Sequence, residues 1–371
     1  MQRRTAEPHS SPSSSTIHAP EMNVSSGSYS PSQTPFDRLR LTAVRRGEQQ
    51  LRRCTSRALL NYILLALTFL VLTGLWNIIQ SIHSLDASTA AGEQEEHQQQ
   101  QAASCQKRLD SLDNLFNERR KIRQQATPTY KYKNDKMKFD LYEPEANCFS
   151  EERFGSDSGI RYEAFGDGPK FVCGADVLAT KKAKCLVYSV GSNNDIRFEK
   201  AVHTYMKGCD IHTFDPTLSD KPFVGGDVAT FHPWGLGSDG GKEGNTMHGR
   251  KNEGERMSFQ TIFHNLGHTN RTLDILKIDC QGCEYAAMIP LFELIAAGRV
   301  KVDQVLIELH VSKNNFTTQL NQFFSAADKA KLRIVHKERN QWGCDGFRCV
   351  EYALVSESFL RQANEAIMCS A

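Results

Sequence analysis

Residues 185–216, CLVYSVGSNNDIRFEKAVHTYMKGCDIHTFDP, form the unit that decides the fold. A short apolar run, CLVYSV, ends in a turn with a glycine, and a helical stretch begins at about Asp195. A second apolar run, DIHTF, then ends at an acid. This order predicts two parallel strands joined by a right-handed helical crossover.

The same alternation continues toward the C-terminus. A further helix is predicted to begin at Glu284. Other short apolar runs rich in β-branched residues lie at residues 227–231, 273–278, 302–309, 332–337 and 349–355. Alternating strands and helices predict an α/β fold with a mainly parallel, doubly wound sheet that is covered on both faces.

An apolar segment precedes this domain at residues 58–79, ALLNYILLALTFLVLTGLWNII. It contains no charged residue and, as a helix, is long enough to cross a hydrocarbon core of about 30 Å. It follows a 57-residue tail, so it does not fit a cleaved signal peptide. The sequence favours an uncleaved signal anchor over the alternative of a buried core helix.

The flanking charges predict how this anchor is oriented. Five arginines lie within residues 45–57, whereas residues 86–96 contain four acids and no Lys or Arg. The positive-inside rule then places the N-terminus in the cytosol. We predict a single-pass type II membrane protein of the Golgi or endoplasmic reticulum, with the large domain in the lumen.

Composition divides the chain into four regions. They are a cytosolic tail predicted to be disordered (1–57), the anchor (58–79), a polar and partly helical stem (80–135) and a lumenal domain (136–371). A mean hydropathy of −0.48 excludes a multi-pass membrane protein. The tail has nine Arg and no Lys against four acids, which leaves the rest of the chain with 36 basic and 39 acidic residues, a net charge of −3. The domain therefore offers no charge argument for nucleic-acid binding.

Ten of the 11 cysteines follow the anchor. An oxidising lumen permits disulfides, and an even number permits complete pairing. Cys344 and Cys349 bracket a short stretch with a glycine and are candidates to pair. Sequons at Asn270 and Asn315 are candidate glycosylation sites in that compartment.

Candidate ligand-binding residues follow the first two predicted strands. In a doubly wound sheet, ligands bind outside the carboxyl ends of the strands. Gly191 and Asn193 lie in the first turn, where glycine permits close approach and the next helix offers free N–H groups. Asp215 ends the following strand, where a carboxylate can accept hydrogen bonds from both ribose hydroxyls. A turn or N-cap role before Pro216 is the alternative.

Acids and a histidine follow the later strands. Asp279 ends one strand and is a candidate to orient a substrate or a cofactor amine. Glu284 opens the next helix, where it is either a catalytic group or a dipole-stabilised cap. Glu308 and His310 alternate along a strand and therefore point to the same side as an acid/base pair.

The motifs occur in a specific order: VYSVGSNND (187–195), FDP (214–216), FHPWGLG (231–237), LKIDCQGCEY (276–285) and IELH (307–310). In this order the chain resembles the FkbM-type S-adenosylmethionine-dependent methyltransferases, and most of all their branch of methyltransferase-like protein 24. The resemblance covers about residues 140–358. It implies a Rossmann-like class I methyltransferase fold and S-adenosyl-L-methionine as the cofactor.

The resemblance also implies where the cofactor lies. The methionine moiety would lie at Gly191 and Asn193, and the ribose on Asp215. The adenine would lie beside Trp234 and Gly235, although Trp234 is equally consistent with a core residue. The implied reaction is a direct methyl transfer to oxygen, with a nearby base removing the proton. The candidate bases are, in order, His310, Glu308 and Glu284.

Three positions depart from the family pattern. The first turn often carries an acid before the glycine and a second glycine after it, where this chain has Ser189 and Asp195. In the turn Asp-x-Glu-Gly-x-Glu, Gln281 replaces the first Glu. These departures keep open a catalytically inactive relative that binds a partner, or binds the cofactor without turnover.

Other functions are less well supported by the sequence. A type II glycosyltransferase shares this organisation, but the chain has no Asp-x-Asp motif. The Asp279 turn differs from the Asn/Asp-Pro-Pro-aromatic turn that methylates bases, so the expected acceptor is a small molecule, glycan or secreted protein and not nucleic acid. Cys280 and Cys283 lack a second CxxC pair, and His264 and His268 lack an HExxH motif, so no metal site is predicted.

Overall fold

The computed structural model describes residues 37–134, 137–155, 168–239, 254–311, 316–341 and 344–369. Most of the predicted tail and the Asn315 sequon position therefore lie outside the described residues. The chain divides into two compact units, residues 1–91 and residues 92–371.

The first unit contains the predicted anchor. Helix α1 (Asp37–Ala126) begins in this unit and ends in the second. Its stretch Ser56–Leu85 has a mean hydropathy of 2.2, and none of it is buried by other parts of the protein. Such a helix is long and apolar enough to cross a membrane once. Its exposure argues against the alternative of a buried core helix.

The second unit alternates strands and helices. Its strands are β1 (Glu151–Phe154), β2 (Lys170–Cys173), β3 (Leu186–Val190), β4 (Asp210–Phe214), β5 (Thr230–His232), β6 (Trp234–Leu236), β7 (Glu255–Met257), β8 (Thr272–Ile278), β9 (Lys301–His310), β10 (Leu332–Arg339) and β11 (Cys349–Ser356). Its remaining helices are α2 (Ala175–Thr180), α3 (Arg197–Tyr205), α4 (Phe259–Asn265), α5 (Glu284–Ala296), α6 (Phe316–Lys329) and α7 (Glu357–Met368).

Seven strands form the central sheet in the order β10-β11-β9-β8-β3-β4-β5. The pairs among β9, β8, β3, β4 and β5 are parallel, whereas β11 is antiparallel to both of its neighbours. The chain proceeds outward from β3 to β4 and β5, then returns to the other side of β3 with β8. The predicted doubly wound α/β fold is confirmed, and its strand order reverses between β3 and β8.

Both faces of this sheet are buried, as expected for parallel strands that helices cover. On one face, Tyr188 and Leu276 pack with residues of α4, α5 and α6. On the other face, Val187 and Ile275 pack with residues of α3 and α7. The near-continuous apolar runs in the sequence follow from this two-sided burial.

One predicted strand begins later than its sequence pattern indicates. Residues 227–231 were expected to be extended, but β5 begins only at Thr230. The amides of Val228 and Ala229 both donate to the carbonyl of Gly225. These two residues therefore belong to a turn and not to the strand.

The C-terminal part of α1, residues 92–126, belongs to the second unit and packs on its other elements. Leu109 and Phe116 are buried, and the guanidinium groups of Arg120 and Arg123 each lie 2.8 Å from the Glu145 carboxylate. The helical part predicted for the stem therefore belongs to a longer helix. Its polar face also binds the domain, through ion pairs with distant residues that no local pattern indicates.

Disulfides join the ten cysteines of the second unit. The predicted pair Cys344–Cys349 is confirmed. The other pairs are Cys105–Cys369, Cys148–Cys173, Cys185–Cys209 and Cys280–Cys283. This complete pairing agrees with a domain that folds in an oxidising compartment.

Candidate functional site

The carboxyl ends of β3 and β8 touch at Gly191, where the strand order reverses. Gly191 has φ +78°, and a Cβ at this position would lie 1.9 Å from the carbonyl oxygen of Asp279. The amide of Asp279 in turn donates to the carbonyl of Val190 at 3.0 Å. Glycine is therefore required here because two central strands approach each other, whether or not a ligand is bound.

Asp215 joins the first two turns of this edge. Its Oδ2 accepts a hydrogen bond from the Asn193 amide at 2.6 Å. Its Oδ1 accepts from the amide and the hydroxyl of Thr217, at 2.9 and 2.6 Å. The N-cap role is therefore present, for the short 3-10 helix Pro216–Leu218. A carboxylate has about four acceptor positions, so it retains capacity for a further donor.

Trp234 and Gly235 lie beside this turn. The half-buried Trp234 ring stacks on His232, with 4.7 Å between the ring centroids. A Cβ on Gly235 would lie 3.1 Å from Cγ of Pro216, so β6 packs against the residue that follows Asp215. Trp234 thus has core contacts, and the structure brings Gly235 next to the acid predicted to bind ribose.

A cleft lies at the carboxyl ends of β3 and β8, beside the start of α3, and we call it the switch-point cleft. Its lining residues are Gly155, Gly168, Gly191, Ser192, Asp195, Arg197, Phe198, Lys277 and Asp279. Two cations and two carboxylates thus share a small polar space. The Lys277 ammonium donates to the carbonyl of Gly191 at 3.2 Å.

Lys277 was missed by the sequence predictions, although a local signal was present. Lys277 and Asp279 alternate at the end of β8 and therefore point to the same side. The sequence pattern assigned Lys277 only to an apolar strand and gave it no role in ligand binding. Its ammonium lies at the ligand edge, where it can bind an anionic group.

The predicted acid/base residues form a chain of contacts at the ends of β8 and β9. His310 Nδ1 lies 2.7 Å from Glu284 Oε1, and His310 Nε2 lies 3.7 Å from Glu308 Oε2. The other oxygen of Glu284 accepts from the Gly282 amide at 2.8 Å. Asn340 donates to Glu308 Oε1 at 2.7 Å. Glu308 and His310 do point to the same side, as predicted.

Two residues from distant strands complete this group. The Lys170 ammonium, on β2, lies 2.5 Å from Glu351 Oε1 on β11 and 3.6 Å from Asp279 Oδ2. Both residues are almost fully buried. Neither belongs to a local motif, and only the pairing of β11 with β9 brings Glu351 beside Glu308. The ligand-edge cluster consists of Lys170, Asp279, Glu284, Glu308, His310 and Glu351.

The environment shifts the pKa values within the ligand-edge cluster. Burial, together with the charges of Glu351 and Asp279, raises the pKa of Glu308 to about 8. Burial likewise raises the pKa of Glu351 to about 7. Although burial opposes it, the hydrogen bond to Glu284 raises the pKa of His310 to about 9. The cluster therefore exchanges protons near neutral pH, as catalytic acid/base groups do.

Asp279 stays ionised in the same cluster. Burial would raise its pKa, but the charges of Lys170 and Lys277 outweigh that effect and hold it below the ordinary value. Asp279, Glu308 and Glu351 have carboxylate oxygens within 4.8 Å of one another, an arrangement that also suits a metal ion. The Lys170 ammonium already lies among them and supplies a positive charge there.

A disulfide closes the turn that carries Asp279 and Glu284. Cys280 and Cys283 are paired, and the two residues between them have positive φ, +48° for Gln281 and +128° for Gly282. The CxxC spacing therefore belongs to a closed turn in which both thiols are used. The turn holds two predicted site residues at fixed positions on either side of it.

These pKa shifts predict that stability falls with rising pH. The folded state holds protons on Glu308 and His310 up to about pH 8 and pH 9, whereas the unfolded chain releases them near 4.5 and 6.5. Where the folded state binds more protons, raising the pH lowers the free energy of unfolding. We expect a decrease from pH 6.5 to pH 9 in urea unfolding followed by near-ultraviolet circular dichroism. The decrease should be smaller in His310→Gln, and stability that rises over this range would contradict the assigned shifts.

A comparison with protein families identifies the class of this domain. A family model described as a methyltransferase domain matches residues 97–356. No curated protein matches the chain.

Several solved structures are similar to the chain at low identity. One is a fibrillarin/Nop5p complex, with 10% identity over 54% of this chain and 92% of that chain and a TM-score of 0.28. The mitomycin 7-O-methyltransferase MmcR has 10% identity over 49% and 53%, with a TM-score of 0.22. A putative SAM-dependent methyltransferase from Streptococcus mutans has 11% identity over 53% and 59%, with a TM-score of 0.26. The chain spans less than two thirds of the length of the last two.

Proposed function

The chain belongs to the methyltransferase-domain family, and from this premise we propose that it is an S-adenosylmethionine-dependent O-methyltransferase. One observation carries the proposal. At the reversal of strand order, the switch-point cleft adjoins the ligand-edge cluster, and its lining residue Ser192 precedes Asn193, whose amide donates to Asp215. Asp279 belongs to both the cleft and the cluster.

The residues of the cleft fit the charges of S-adenosylmethionine. The amino-acid part of this molecule carries one carboxylate and one ammonium group. Lys277 offers a cation for the carboxylate, whereas Arg197 is already paired with Asp195. The ionised Asp279 offers an acceptor for the ammonium. Asp215 keeps an acceptor position for ribose hydroxyls, and Gly235 packs beside Pro216, the residue that follows Asp215. The methionine part would therefore lie near Gly191 and the nucleoside toward β6.

The ligand-edge cluster fits the removal of a proton from an acceptor hydroxyl. The bound cofactor would supply the electrophilic methyl group. His310 is held by Glu284 through Nδ1, so its Nε2 is the nitrogen able to take the proton. Glu284 has both oxygens engaged and acts as a positioning residue. Glu308 lies next to Nε2 and, with its raised pKa, is the second candidate base.

The finer parts of the proposal rest on the sequence. The motif order supports the FkbM type and its methyltransferase-like protein 24 branch. The apolar helix and its flanking charges support a type II anchor in the Golgi or endoplasmic reticulum. Asn270 is exposed, so its sequon is accessible for glycosylation in the lumen. The acceptor class is an oxygen on a small molecule, glycan or secreted protein, and nucleic acid is not expected.

A second function is an inactive binding protein of the same fold. It is favoured by Ser189, which stands where the family often has an acid. Among the described residues, its hydroxyl is buried without a hydrogen-bond partner. Such a protein would retain the cleft and lack turnover, so binding and methyl transfer must be measured separately.

The first test is calorimetric titration of the full chain in detergent micelles with S-adenosylmethionine, S-adenosylhomocysteine and a sugar nucleotide. We expect saturable binding of the first two alone. Asp215→Ala should weaken both by roughly 5- to 150-fold, because it removes an acceptor worth about 1–3 kcal/mol.

Asp239→Ala is the matched control for this titration. Asp239 also accepts a hydrogen bond from a backbone amide, that of Ser258 at 2.7 Å, but unlike Asp215 it accepts none from the Asn193 turn. It should leave the affinity unchanged. The proposal fails if the folded wild-type chain does not bind S-adenosylmethionine, and Asp215 is excluded from the site if its folded variant binds normally.

A further inference from the structure

A second group of titratable side chains lies on β4, β5 and the loop after α4, outside the ligand-edge cluster. Asp210 is the first residue of β4, and His212 follows two residues later on the same face. His268 lies in the loop after α4, and His232 ends β5. We call these four residues the histidine cluster. The three imidazoles are buried, whereas the Asp210 carboxylate remains partly exposed.

Three ligand atoms of this cluster converge. His212 Nε2 lies 3.1 Å from Asp210 Oδ1, and His268 Nε2 lies 3.8 Å from Asp210 Oδ2. One ligand atom from each of these residues lies within 4.8 Å of the other two. Two imidazole nitrogens and one carboxylate oxygen are a common donor set for zinc, which binds in tetrahedral geometry at about 2.0–2.2 Å. A small inward movement of side chains would bring all three to that distance.

An independent observation points to a missing partner. Among the described residues, His212 Nε2 is buried without an assigned hydrogen bond, and the atom facing it is Asp210 Oδ1 at 3.1 Å. Burying a polar atom in this state costs free energy unless something binds it. The orphaned atom is one of the three that converge.

The remaining nitrogens of both rings are held as a metal site requires. His212 Nδ1 lies 2.9 Å from His232 Nε2, and His268 Nδ1 lies 2.7 Å from the Tyr188 hydroxyl. If each Nδ1 carries the proton and donates it outward, both Nε2 lone pairs face the centre of the cluster. Metal-binding histidines are usually oriented through the other ring nitrogen in this way.

We propose that Asp210, His212 and His268 bind one zinc ion. Arg271 donates to Asp210 Oδ2 at 2.5 Å, which leaves Oδ1 for the metal. The exposed side of Asp210 supplies an entry path and a position for water as the fourth ligand. The ion would join the start of β4 to the loop after α4, and so it has a structural role independent of the proposed methyl transfer.

The test is metal binding by the full chain in detergent micelles, purified without a polyhistidine tag and stripped with a chelator. Zinc is titrated in competition with a chromophoric chelator. We expect one zinc ion per chain and a higher unfolding temperature with zinc, because the ion binds only the folded state. Asp210→Asn and His268→Gln should each lower the affinity by at least about 100-fold.

His264→Gln is the matched control, because His264 is an exposed histidine four residues before His268. It should bind zinc as the wild type does. If the site variants do not fold, cobalt replaces zinc in the wild-type chain, and a strong visible absorption typical of tetrahedral nitrogen and oxygen donors supports the site. Absence of stoichiometric zinc binding, or equal affinity in folded Asp210→Asn and His268→Gln, overturns the proposal and leaves a hydrogen-bonded histidine network.

Discussion

Gly191→Ala is expected to destabilise the second unit by about 2–5 kcal/mol, a large part of the stability of an ordinary domain. The left-handed backbone of this residue costs a non-glycine residue about 1–2 kcal/mol. The added Cβ would also lie 1.9 Å from the Asp279 carbonyl oxygen, so the ends of β3 and β8 would have to separate. Overpacking of this kind adds about 1–3 kcal/mol. Urea unfolding followed by near-ultraviolet circular dichroism measures the sum.

Gly267→Ala separates the two contributions. Gly267 has a similar φ of +71°, but a Cβ there would meet no atom within 4 Å. It should therefore cost only the backbone part, about 1–2 kcal/mol. Equal losses in the two variants would show that the contact between β3 and β8 adds nothing, contrary to the explanation given for Gly191.

His310→Gln is expected to lower the rate of methyl transfer by about 100- to 10,000-fold, the usual contribution of a positioned general base. Glutamine keeps a polar side chain of similar length, but it cannot take the proton of the acceptor. Affinity for S-adenosylmethionine should change by less than about threefold, because His310 does not line the switch-point cleft. Transfer of tritium from labelled S-adenosylmethionine to a detergent extract of secretory membranes measures the rate without a known acceptor.

His336→Gln is the control for this substitution. His336 also faces a glutamate, with 2.8 Å between its Nδ1 and Glu151 Oε1, but it lies on β10 outside the ligand-edge cluster. Its variant should transfer methyl groups at the wild-type rate. Unchanged transfer by folded His310→Gln would exclude His310 as the base and favour Glu308. No transfer by a wild-type chain that binds the cofactor would favour the inactive binding protein.

The pH dependence of transfer can be checked in the same assay. Since His310 must be neutral to act as a base and its pKa is raised to about 9, the rate should rise with pH toward that value. Stability is expected to fall over the same range. The hydrogen bond from His310 to Glu284 therefore favours the folded state and opposes the neutral form that catalysis requires.

The sequence predicted those candidate site residues that lie at the end of an apolar run, where a polar side chain marks the end of a strand. Asp215, Asp279, Glu308 and His310 each follow or end an apolar run, and parallel strands bring such ends to one edge of a sheet. The role of Gly191 was predicted for a different reason. Its positive φ and its place in a turn are local properties, but its contact with Asp279 depends on β8 lying beside β3.

The sequence by itself determined the apolar helix, the positions of the central strands and the doubly wound α/β class, because alternating burial leaves a periodic pattern within a few residues. Only the tertiary structure decided which cysteines pair, that Lys170 lies between Glu351 and Asp279, and that two histidines converge on Asp210. The physical reason is distance along the chain. Most of these contacts join residues that are far apart in the sequence and belong to no common periodic pattern. They form only after the strands have paired and brought the side chains together.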